Sequence, residues 1–336
     1  MTILVTGGFG FIGSNFVINH LLKFPEETVV VLDKLTYAAN PRNLEDVVER
    51  SRLVVYRGDI NNEELMANIL SAHSPRAIIN FAAESHVDRS IAGPAPFIQT
   101  NIVGVATLLE MARQYADYRA TLKQSFRFLQ VGTDEVYGSL LANSPASVEY
   151  QTPYAPRSPY SASKAAADFL CKAYWETYGT PVLLTTSCNN YGPRQHQEKF
   201  IPTAIFAAAK NKKIPVYGTG ANIREWIHVD DNCEAIEAVL EKGKPGQQYH
   251  IGGAHTCDNL ALAHRIAHMM NDIDEEATDE QVTAQYVEFV KDRAGHDYRY
   301  ALNSDKIREE LGWEPRIDFE TGLKNTIDWY KTAYAL

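Results

Sequence analysis

The sequence predicts an α/β protein built on a doubly wound parallel sheet, with a smaller mixed α/β lobe toward the C-terminus. Short apolar runs alternate with segments that carry apolar residues at helical spacing, which is typical of strands joined by crossover helices. A glycine-rich turn follows the first apolar run. The chain has 336 residues, more than the roughly 100–200 of one domain, so we expect two lobes.

Apolar runs before residue 188 predict the strands of one sheet. They occupy residues 3–5, 29–32, 53–56, 77–83, 126–131 and 182–186. The intervening residues 14–23, 62–72 and 101–116 have the spacing of amphipathic helices. This order predicts a parallel sheet with helices on both faces.

The pattern becomes irregular after residue 188, where turn-rich pieces separate short helical segments. We therefore predict a sheet domain over residues 1–188, with later return segments near residues 225–250, and a lobe formed mainly by residues 189–336. That lobe should close over the carboxyl edge of the sheet, where ligands bind in such folds. The acidic stretch 272–280 is interpreted as a solvated loop.

Composition excludes several classes of partner. The net charge is -10 without a basic stripe, which argues against nucleic-acid binding. No apolar run approaches the roughly 20 residues of a membrane span, and no secretory signal precedes the first strand. The cysteines lack CxxC spacing, which favours free thiols and a cytoplasmic location. They are Cys171, Cys188, Cys233 and Cys257.

The first glycine-rich turn has the form expected of a dinucleotide site. Gly7, Gly10 and Gly13 follow a predicted strand and open a predicted helix that continues through Phe11 and Ile12. Small residues let the backbone approach a pyrophosphate, and the positive end of the helix stabilises its charge. This is the arrangement of a Rossmann-type fold.

An acidic residue ends the next strand and indicates which dinucleotide is bound. A carboxylate at Asp33 can accept hydrogen bonds from the ribose hydroxyls and would repel a 2′-phosphate, which favours NAD over NADP. Lys34 softens this discrimination. Asp59 and Ile60 end the third strand and are placed for the adenine, although a simple strand-ending turn is the alternative. Further candidates for the cofactor site are Thr36, Ala82, Ala83, Thr100, Tyr160 and Lys164.

Two residues later in the chain are suited to moving a proton and a hydride. Tyr160 and Lys164 are four positions apart on a predicted helix, so both side chains face the same cleft. An unperturbed tyrosine has a pKa of about 10, and a nearby ammonium together with the positive nicotinamide lowers the pKa of the phenol. The phenolate is then a general base for an alcohol that is being oxidised.

The run Thr133-Asp134-Glu135 determines the predicted chemistry. Adjacent carboxylates raise one another's pKa, and such a pair can supply one acid and one base. Removal of water from a sugar needs both, whereas a simple dehydrogenase or an epimerase does not. A strand-end turn that caps a helix is the structural alternative.

These motifs together resemble the dTDP-glucose 4,6-dehydratase family of the extended short-chain dehydrogenase/reductase superfamily. The resemblance covers essentially the whole chain. It is carried by the segments at residues 80–90, 133–138, 154–164, 189–193, 198–199 and 292–297.

The resemblance implies a mechanism with NAD as a tightly bound cofactor that each turnover regenerates. Tyr160 would deprotonate the C4 hydroxyl as NAD takes the C4 hydride, and Thr133 would hydrogen-bond the C4 oxygen. Glu135 would remove the C5 proton while Asp134 protonates the departing C6 oxygen. The hydride would then return to C6, leaving a 4-keto-6-deoxy sugar.

A nucleoside diphosphate needs cationic partners, and Arg224 and Arg293 are the candidates because a guanidinium binds phosphate oxygens bidentately. A surface salt bridge is the alternative for Arg224, and a solvated side chain is the alternative for Lys199. The resemblance places a wider set around the substrate: Ser85, Thr133, Asn189, Asn190, Glu198, Lys199, Phe200, Pro215, Tyr217, Arg224, Asn259, Arg293 and His296. No metal site is expected, because His264 and His268 lack a third ligand.

Several positions depart from the commoner family pattern. They are Gly132, Thr186, Ala294 and residues 194–197. None belongs to the expected acid, base or hydride apparatus, so the reaction type is better specified than the nucleotide or hexose.

Other functions remain open at this stage. UDP-glucose or UDP-N-acetylglucosamine could replace dTDP-glucose as the substrate, and a nucleotide-sugar 4-epimerase or a non-catalytic NAD sensor are further alternatives. Asp134 and Glu135 argue against the epimerase. Superfamily members commonly pair through two helices, which match residues 101–116 and 160–178, so a homodimer is expected by resemblance.

Overall fold

The computed structural model describes residues 1–253, 255–271, 273–274 and 276–336. The strands, in chain order, are β1 (Thr2–Thr6), β2 (Thr28–Asp33), β3 (Leu53–Arg57), β4 (Ala77–Asn80), β5 (Arg127–Thr133), β6 (Val182–Ser187), β7 (Asn189–Tyr191), β8 (Ile214–Tyr217), β9 (Ile223–His228), β10 (Gln248–Ile251), β11 (His255–Asp258) and β12 (Val287–Val290).

The α-helices alternate with these strands in the first part of the chain. They are α1 (Phe11–Lys23), α2 (Glu63–His73), α3 (Val87–Ala92), α4 (Ala95–Phe97), α5 (Val105–Thr121), α6 (Pro159–Tyr178), α7 (Phe200–Ala209), α8 (Val229–Lys242), α9 (Asn259–Met270), α10 (Asp279–Tyr286), α11 (Asp305–Leu311) and α12 (Phe319–Tyr334). A π-helical turn, Ile98–Gly104, joins α4 to α5.

The predicted doubly wound sheet is confirmed. Across the described residues its strand order is β10-β6-β5-β4-β1-β2-β3, with every neighbouring pair parallel. The chain order reverses between β1 and β4, and ligands bind beyond the carboxyl ends of the strands at such a switch point.

Two differences from the predicted strands have physical reasons. The run at residues 77–83 leaves the sheet after Asn80, whose side chain accepts a hydrogen bond from the Ala82 backbone N–H at 3.2 Å. Strand β10 was not predicted as a strand, because buried Gln248 and His250 interrupt its apolar pattern.

Alternate residues of the strands bury opposite faces of the sheet. Ile3 and Val5 pack into one apolar cluster with α1 and α8, whereas Leu4 packs into a second cluster with α2, α5 and α6. All three side chains are fully buried. This alternation places helices on both faces and leaves the carboxyl edge open.

The later part of the chain forms smaller sheets around a third apolar cluster that includes Tyr191, Trp226 and Leu323. Strand β9 pairs with β7 and β11, and β8 pairs with β12. The predicted acidic loop at residues 272–280 ends early, because Thr278 caps α10 and residues 279–280 begin that helix. Asp272 and Glu275 lie outside the described residues.

No helix in the described part of the chain combines the length and apolar character that a membrane span requires. The four cysteines are free thiols, and Cys171, Cys188 and Cys233 are buried.

Candidate active site

The glycine turn between β1 and α1 has the shape of a phosphate cradle. Gly7 adopts φ +71°, in the left-handed region that favours glycine, and its N–H donates to the Leu32 carbonyl at 2.9 Å. A Cβ on Gly13 would lie 2.3 Å from the Gly7 carbonyl oxygen. The first N–H groups of α1, at Phe11 and Ile12, lack partners within the helix and suit a pyrophosphate.

The end of β2 provides the predicted ribose-binding carboxylate. Asp33 is buried and accepts hydrogen bonds from the backbone N–H groups of Phe9 at 2.9 Å and Leu35 at 2.7 Å. Burial raises the pKa of Asp33, and the two backbone hydrogen bonds oppose that effect. Lys34 pairs with Asp59 at 2.6 Å, which reduces its attraction for a 2′-phosphate. This geometry fits NAD.

One cleft of about 320 Å³ contains every predicted cofactor residue and all of the predicted catalytic residues. It runs from the glycine turn, past the ends of β4 and β5, to the start of α7. The predicted residues that line it are Gly7, Gly10, Phe11, Ile12, Gly13, Asp33, Lys34, Thr36, Asp59, Ile60, Ala82, Ala83, Ser85, Thr100, Thr133, Asp134, Glu135, Tyr160, Lys164, Asn189, Asn190, Glu198 and Lys199.

Thr133 ends β5 and caps the 3-10 turn Asp134–Tyr137, as the structural alternative expected. The same turn aims both carboxylates into the cleft. Thr133 Oγ1 donates to Asp134 Oδ1 at 3.4 Å, and Asp134 Oδ2 is buried without a hydrogen-bond partner among the described residues. An unpartnered buried carboxyl oxygen is costly unless a ligand or a proton satisfies it.

The two carboxylates have unequal surroundings. Burial, and then the charges of Glu135 and Glu225, raise the pKa of Asp134 well above its ordinary value, with Arg224 opposing. Burial also raises the pKa of Glu135, but Arg293, Lys199 and Arg224 all oppose that rise. Asp134 is therefore suited to hold a proton, whereas Glu135 is suited to accept one.

Helix α6 presents Tyr160 and Lys164 to the same cleft. Ser158 caps this helix in a capping box with Ser161, and Pro159 occupies its first turn. The Tyr160 side chain is buried, and burial followed by the charge of Glu135 raises the pKa of its phenol. A base at this position therefore needs a cationic neighbour.

Lys164 is the cation nearest to Tyr160 along α6. Its Nζ donates to the Val131 carbonyl at 2.6 Å. Burial lowers the pKa of Lys164, while Asp168, one turn further along the helix, opposes that effect. Burial raises the pKa of Asp168 itself to about 6 despite Lys164. The ammonium is thus held beside the cleft by the Val131 carbonyl, and the charge of the buried Asp168 favours its protonated form.

The predicted substrate residues fall into two groups. Ser85, Asn189, Asn190, Glu198 and Lys199 line the cleft with the catalytic residues. Lys199 Nζ donates to the Ser85 carbonyl at 2.8 Å, so this lysine is not a freely solvated side chain.

The second group lies beyond the residues that line this cleft. It comprises Phe200, Pro215, Tyr217, Arg224, Asn259, Arg293 and His296. The charges of Arg224 and Arg293 nevertheless reach Glu135, which places them on the same side of the fold.

Arg224 is buried and does not form the surface salt bridge with Glu225 or Asp230 that was the alternative to phosphate binding. Its Nη2 donates to the Asp297 carbonyl at 2.9 Å, and its guanidinium lies 4.3 Å from the centroid of the Tyr300 ring. Asp230 instead faces His228 at 3.6 Å. The guanidinium is therefore held in one position rather than mobile in solvent.

Other members of the second group contact one another or the lobe core. His296 Nδ1 lies 2.6 Å from Asp292 Oδ1, and Tyr217 donates to Asp88 at 3.0 Å. Phe200 packs against the third apolar cluster. Asn259 begins α9, and its backbone N–H donates to the Asn222 carbonyl at 3.1 Å.

Sequence reasoning missed several residues that line the cleft, including Glu84, Ser187, Cys188, Gln195 and His196. Glu84 directly follows the predicted pair Ala82 and Ala83, so its position at the carboxyl edge was a usable signal. Ser187 and Cys188 directly follow the predicted strand at residues 182–186, so they carried the same signal. Gln195 and His196 carry no spacing that distinguishes them from other loop residues.

Asn101 is a further residue that the sequence did not single out. It lies in the π-helical turn, and its Nδ2 donates to the Glu84 carbonyl and to Ser163 Oγ, each at 2.9 Å. Such turns are frequent at functional sites. The π-helical turn thereby connects the end of β4 to α6.

Two of the departures from the family pattern are neighbours in space. A Cβ on Gly132 would lie 2.7 Å from the Thr185 carbonyl oxygen and 3.5 Å from Asp168 Oδ1. Thr186 Oγ1 accepts a hydrogen bond from Gln248 at 2.7 Å. The backbones at residues 132 and 185 are therefore too close for a side chain at residue 132.

The described residues contain no group of side chains that could hold a metal ion. His264 Nε2 lies 2.8 Å from Thr283 Oγ1.

Glu225 gives a test of the electrostatics beneath the site. Burial raises the pKa of Glu225 from 4.5 to about 7, while hydrogen bonds from the backbone of Leu302 and Gly253 lower it. The fold thus favours the protonated carboxyl. The contribution of this protonated carboxyl to the free energy of unfolding is fully present below the pKa of Glu225 in the unfolded chain. It is lost as the pH rises through the pKa of Glu225 in the folded protein.

We therefore expect Glu225→Gln to become more stable relative to the wild type as the pH rises from about 5 to about 8, by about 3 kcal/mol. The free energy of unfolding of both proteins, measured by chemical denaturation across this range, gives the difference. The other titrating groups are shared by the two proteins and largely cancel, except Asp134, whose pKa the charge of Glu225 raises. A difference that does not vary with pH would contradict the buried, protonated carboxyl.

The chain matches the family model described as GDP-mannose 4,6 dehydratase over residues 4–326. It is 48% identical over 338 residues to dTDP-glucose 4,6-dehydratase from Haemophilus influenzae, with 98% of each chain covered. These matches span the glycine turn, the paired carboxylates and the later lobe.

Solved structures show the same fold. The chain is similar to DesIV (dTDP-glucose 4,6-dehydratase) from Streptomyces venezuelae with NAD and TYD bound, with a TM-score of 0.89, 43% identity and coverage of 100% of this chain and 98% of that one. It is also similar to UDP-glucose 4-epimerase from Thermotoga maritima with UDP-glucose, with a TM-score of 0.86, 27% identity and coverage of 99% and 100%. The fold alone therefore does not select the reaction.

Proposed function

The chain belongs to the dTDP-glucose 4,6-dehydratase family, and we propose on that basis that it converts dTDP-glucose to dTDP-4-keto-6-deoxyglucose and water. It is an NAD-dependent hydro-lyase. The observation that carries the proposal is the pair Asp134 and Glu135, which share one cleft but differ in the charges around them. An acid and a base held side by side are what an elimination requires.

The glycine turn fits the cofactor, because side chains at Gly7 and Gly13 would collide with the backbone of Ala82 and Gly7 and would prevent the tight turn that lets the backbone approach a pyrophosphate. When bound, NAD accepts a hydride from C4 of the sugar and later returns it to C6. Tyr160 takes the proton of the C4 hydroxyl, and Thr133 Oγ1 donates a hydrogen bond to the C4 oxygen.

The elimination uses the two carboxylates in opposite roles. The C4 ketone acidifies the C5 proton, and Glu135 removes it. Asp134 donates its proton to the C6 oxygen, which leaves as water. Glu135 then returns a proton to C5. The unequal pKa values of the two groups support this assignment, because the acid must hold its proton until the C6 oxygen departs.

Binding of the sugar nucleotide is assigned to both groups of substrate residues. Ser85, Asn189, Asn190, Glu198 and Lys199 surround the hexose in this proposal, because they share the cleft with Thr133. The diphosphate and base are assigned to Phe200, Pro215, Tyr217, Arg224, Asn259, Arg293 and His296. The fixed guanidinium of Arg224 supports that role.

The proposal is tested by incubating the purified protein separately with dTDP-glucose, UDP-glucose and UDP-N-acetylglucosamine. Mass spectrometry should show loss of one water from dTDP-glucose without net formation of NADH. Water loss from only a UDP sugar would correct the substrate and preserve the reaction. A product of unchanged mass with an inverted C4 would instead identify an epimerase, and water loss from none would overturn the dehydratase.

We also propose a homodimer that pairs through the π-helical turn, α5 and α6. Their outer faces expose Ile98, Val103, Phe169 and Tyr178, at 49%, 42%, 59% and 56% of their surfaces. Exposed apolar side chains clustered on two helices favour burial against a second copy.

Light scattering of the wild type should give twice the monomer mass, and Phe169→Asp should shift the population toward monomer. A monomeric wild type at all concentrations would refute the pairing.

A cytoplasmic location completes the proposal. The four free thiols support it, because thiols persist in reducing compartments. Fractionation of cells that express the protein would test the location.

A further inference from the structure

The segment 193–199 follows β7 and carries the side chains that face the glycine turn across the cleft. Gln195, His196, Glu198 and Lys199 line the same cavity as Gly7 and the first turn of α1. This segment therefore forms part of the wall of the cavity in which a dinucleotide would lie.

Arg194 ties this segment to the sheet domain through three separate nitrogen atoms. Nε donates to the Asn43 carbonyl at 3.1 Å, Nη1 donates to Asn15 Oδ1 at 2.9 Å, and Nη2 pairs with Asp46. The guanidinium also lies 5.8 Å from the centroid of the Trp329 ring, and its side chain is only 12% exposed. A planar fork that meets several acceptors loses little freedom for each hydrogen bond it makes.

The partners of Arg194 are themselves bonded to the glycine turn. Asn15 Nδ2 donates to the carbonyl of Phe11 at 2.9 Å and to the carbonyl of Pro193 at 3.0 Å. Asn43 Nδ2 donates to the Phe9 carbonyl at 3.0 Å. A single side chain, Asn15 on one side and Asn43 on the other, thus links Arg194 by hydrogen bonds to the backbone on each side of Gly10.

The backbone at Arg194 gives an independent indication. Its φ is +70°, in the left-handed region that a residue with a side chain seldom adopts. Such a conformation persists where surrounding contacts over-determine it. The strain is therefore explained if the guanidinium must reach the partners around α1.

We propose that Arg194 is a positioning residue that holds the segment 193–199 closed over the bound dinucleotide and thereby slows its release. This inference rests on the proposed function, in which NAD stays bound through successive turnovers. Arg194 acts through Asn15 and Asn43.

Release of NAD from the holoenzyme tests the proposal directly. Protein loaded with radiolabelled NAD is mixed with excess unlabelled NAD, and the retained label is followed in time. We expect Arg194→Met to release NAD about tenfold faster than the wild type or more, because hydrogen bonds from a charged group are lost. Arg194→Lys keeps a positive charge that can pair with Asp46 but lacks the planar guanidinium that bonds several acceptors. It should release NAD at a rate between those of the wild type and Arg194→Met.

Arg265→Met is the matched control, because Arg265 also combines a carboxylate partner, Glu320, with a nearby aromatic ring, that of Phe319, outside the cleft. Its release rate should equal that of the wild type. Turnover of Arg194→Met should depend on added NAD and be restored by it.

Equal release rates in the wild type and Arg194→Met would overturn the proposal, as would a turnover defect that added NAD does not restore. If Arg194→Met does not fold, Arg194→Lys decides the question by the same comparison. Failure of the wild type to dehydrate any nucleotide sugar, combined with faster release from the variants, would refute the function and preserve the role of Arg194.

Discussion

Asp134→Asn is expected to slow loss of water by about 10²–10⁴-fold while oxidation at C4 proceeds, because only the general acid is removed. Burial and then the charges of Glu135 and Glu225 raise the pKa of Asp134, which favours the protonated acid, whereas an amide cannot donate a proton to the departing C6 oxygen. The oxidised sugar and NADH should therefore accumulate on the protein. Stopped-flow measurement of NADH absorbance after mixing with dTDP-glucose should show a rise that persists.

Glu135→Gln is the matched variant, because it removes the base and leaves the acid. Both variants should form NADH, but they should differ in deuterated water. With Glu135 intact, Asp134→Asn should exchange the C5 proton for deuterium in the oxidised sugar, whereas Glu135→Gln should not. Absence of the NADH signal in Asp134→Asn, or deuterium at C5 in Glu135→Gln alone, would show that the two roles are wrongly assigned.

The sheet was predictable because each of its early strands is a short apolar run that ends in a polar or small residue. The strands before residue 188 were located to within a few residues, and most of the candidate cofactor residues lie where those strands end. Strand β10 could not be found in the same way, because Gln248 and His250 point into buried polar contacts that involve Thr186 and Tyr137. A local pattern does not reveal such partners.

The catalytic group was predictable for a different reason. Tyr160 and Lys164 are related by helical spacing, and Asp134 and Glu135 are adjacent, so local geometry alone brings each pair together. The asymmetry between the two carboxylates was not predictable from their order, because it arises from residues up to about 160 positions away along the chain, such as Arg293.

Arg194 illustrates the same limit. In the sequence it is a departure from the family pattern in a turn, without a spacing that predicts a partner. Its contacts with Asn15, Asn43 and Asp46 join segments more than 140 residues apart and exist only in the folded chain. The part of the site that departs from the family pattern therefore depends on tertiary contacts. The proposed catalytic residues, in contrast, are brought together by local sequence.

Tyr160→Phe is expected to abolish the NADH transient and to lower turnover by about 10²–10⁴-fold, since no other group takes the C4 hydroxyl proton. Without bound NAD, burial and the charge of Glu135 raise the pKa of the Tyr160 phenol. A nearby ammonium, here that of Lys164, and a positive nicotinamide stabilise a phenolate, so we expect the phenol to ionise when the cofactor is bound. Wild-type C4 oxidation should then rise with pH as the phenol ionises, and this dependence should disappear in the variant.

Tyr178→Phe provides the control, because Tyr178 lies at the far end of the same helix and is 56% exposed. It should retain the transient and its pH dependence. Both variants should retain bound NAD, because neither alters the glycine turn at Gly7 and Gly13. If Tyr160→Phe still reduced NAD at the wild-type rate, the proton would have to leave by another route, and the buried phenol would have only a binding role.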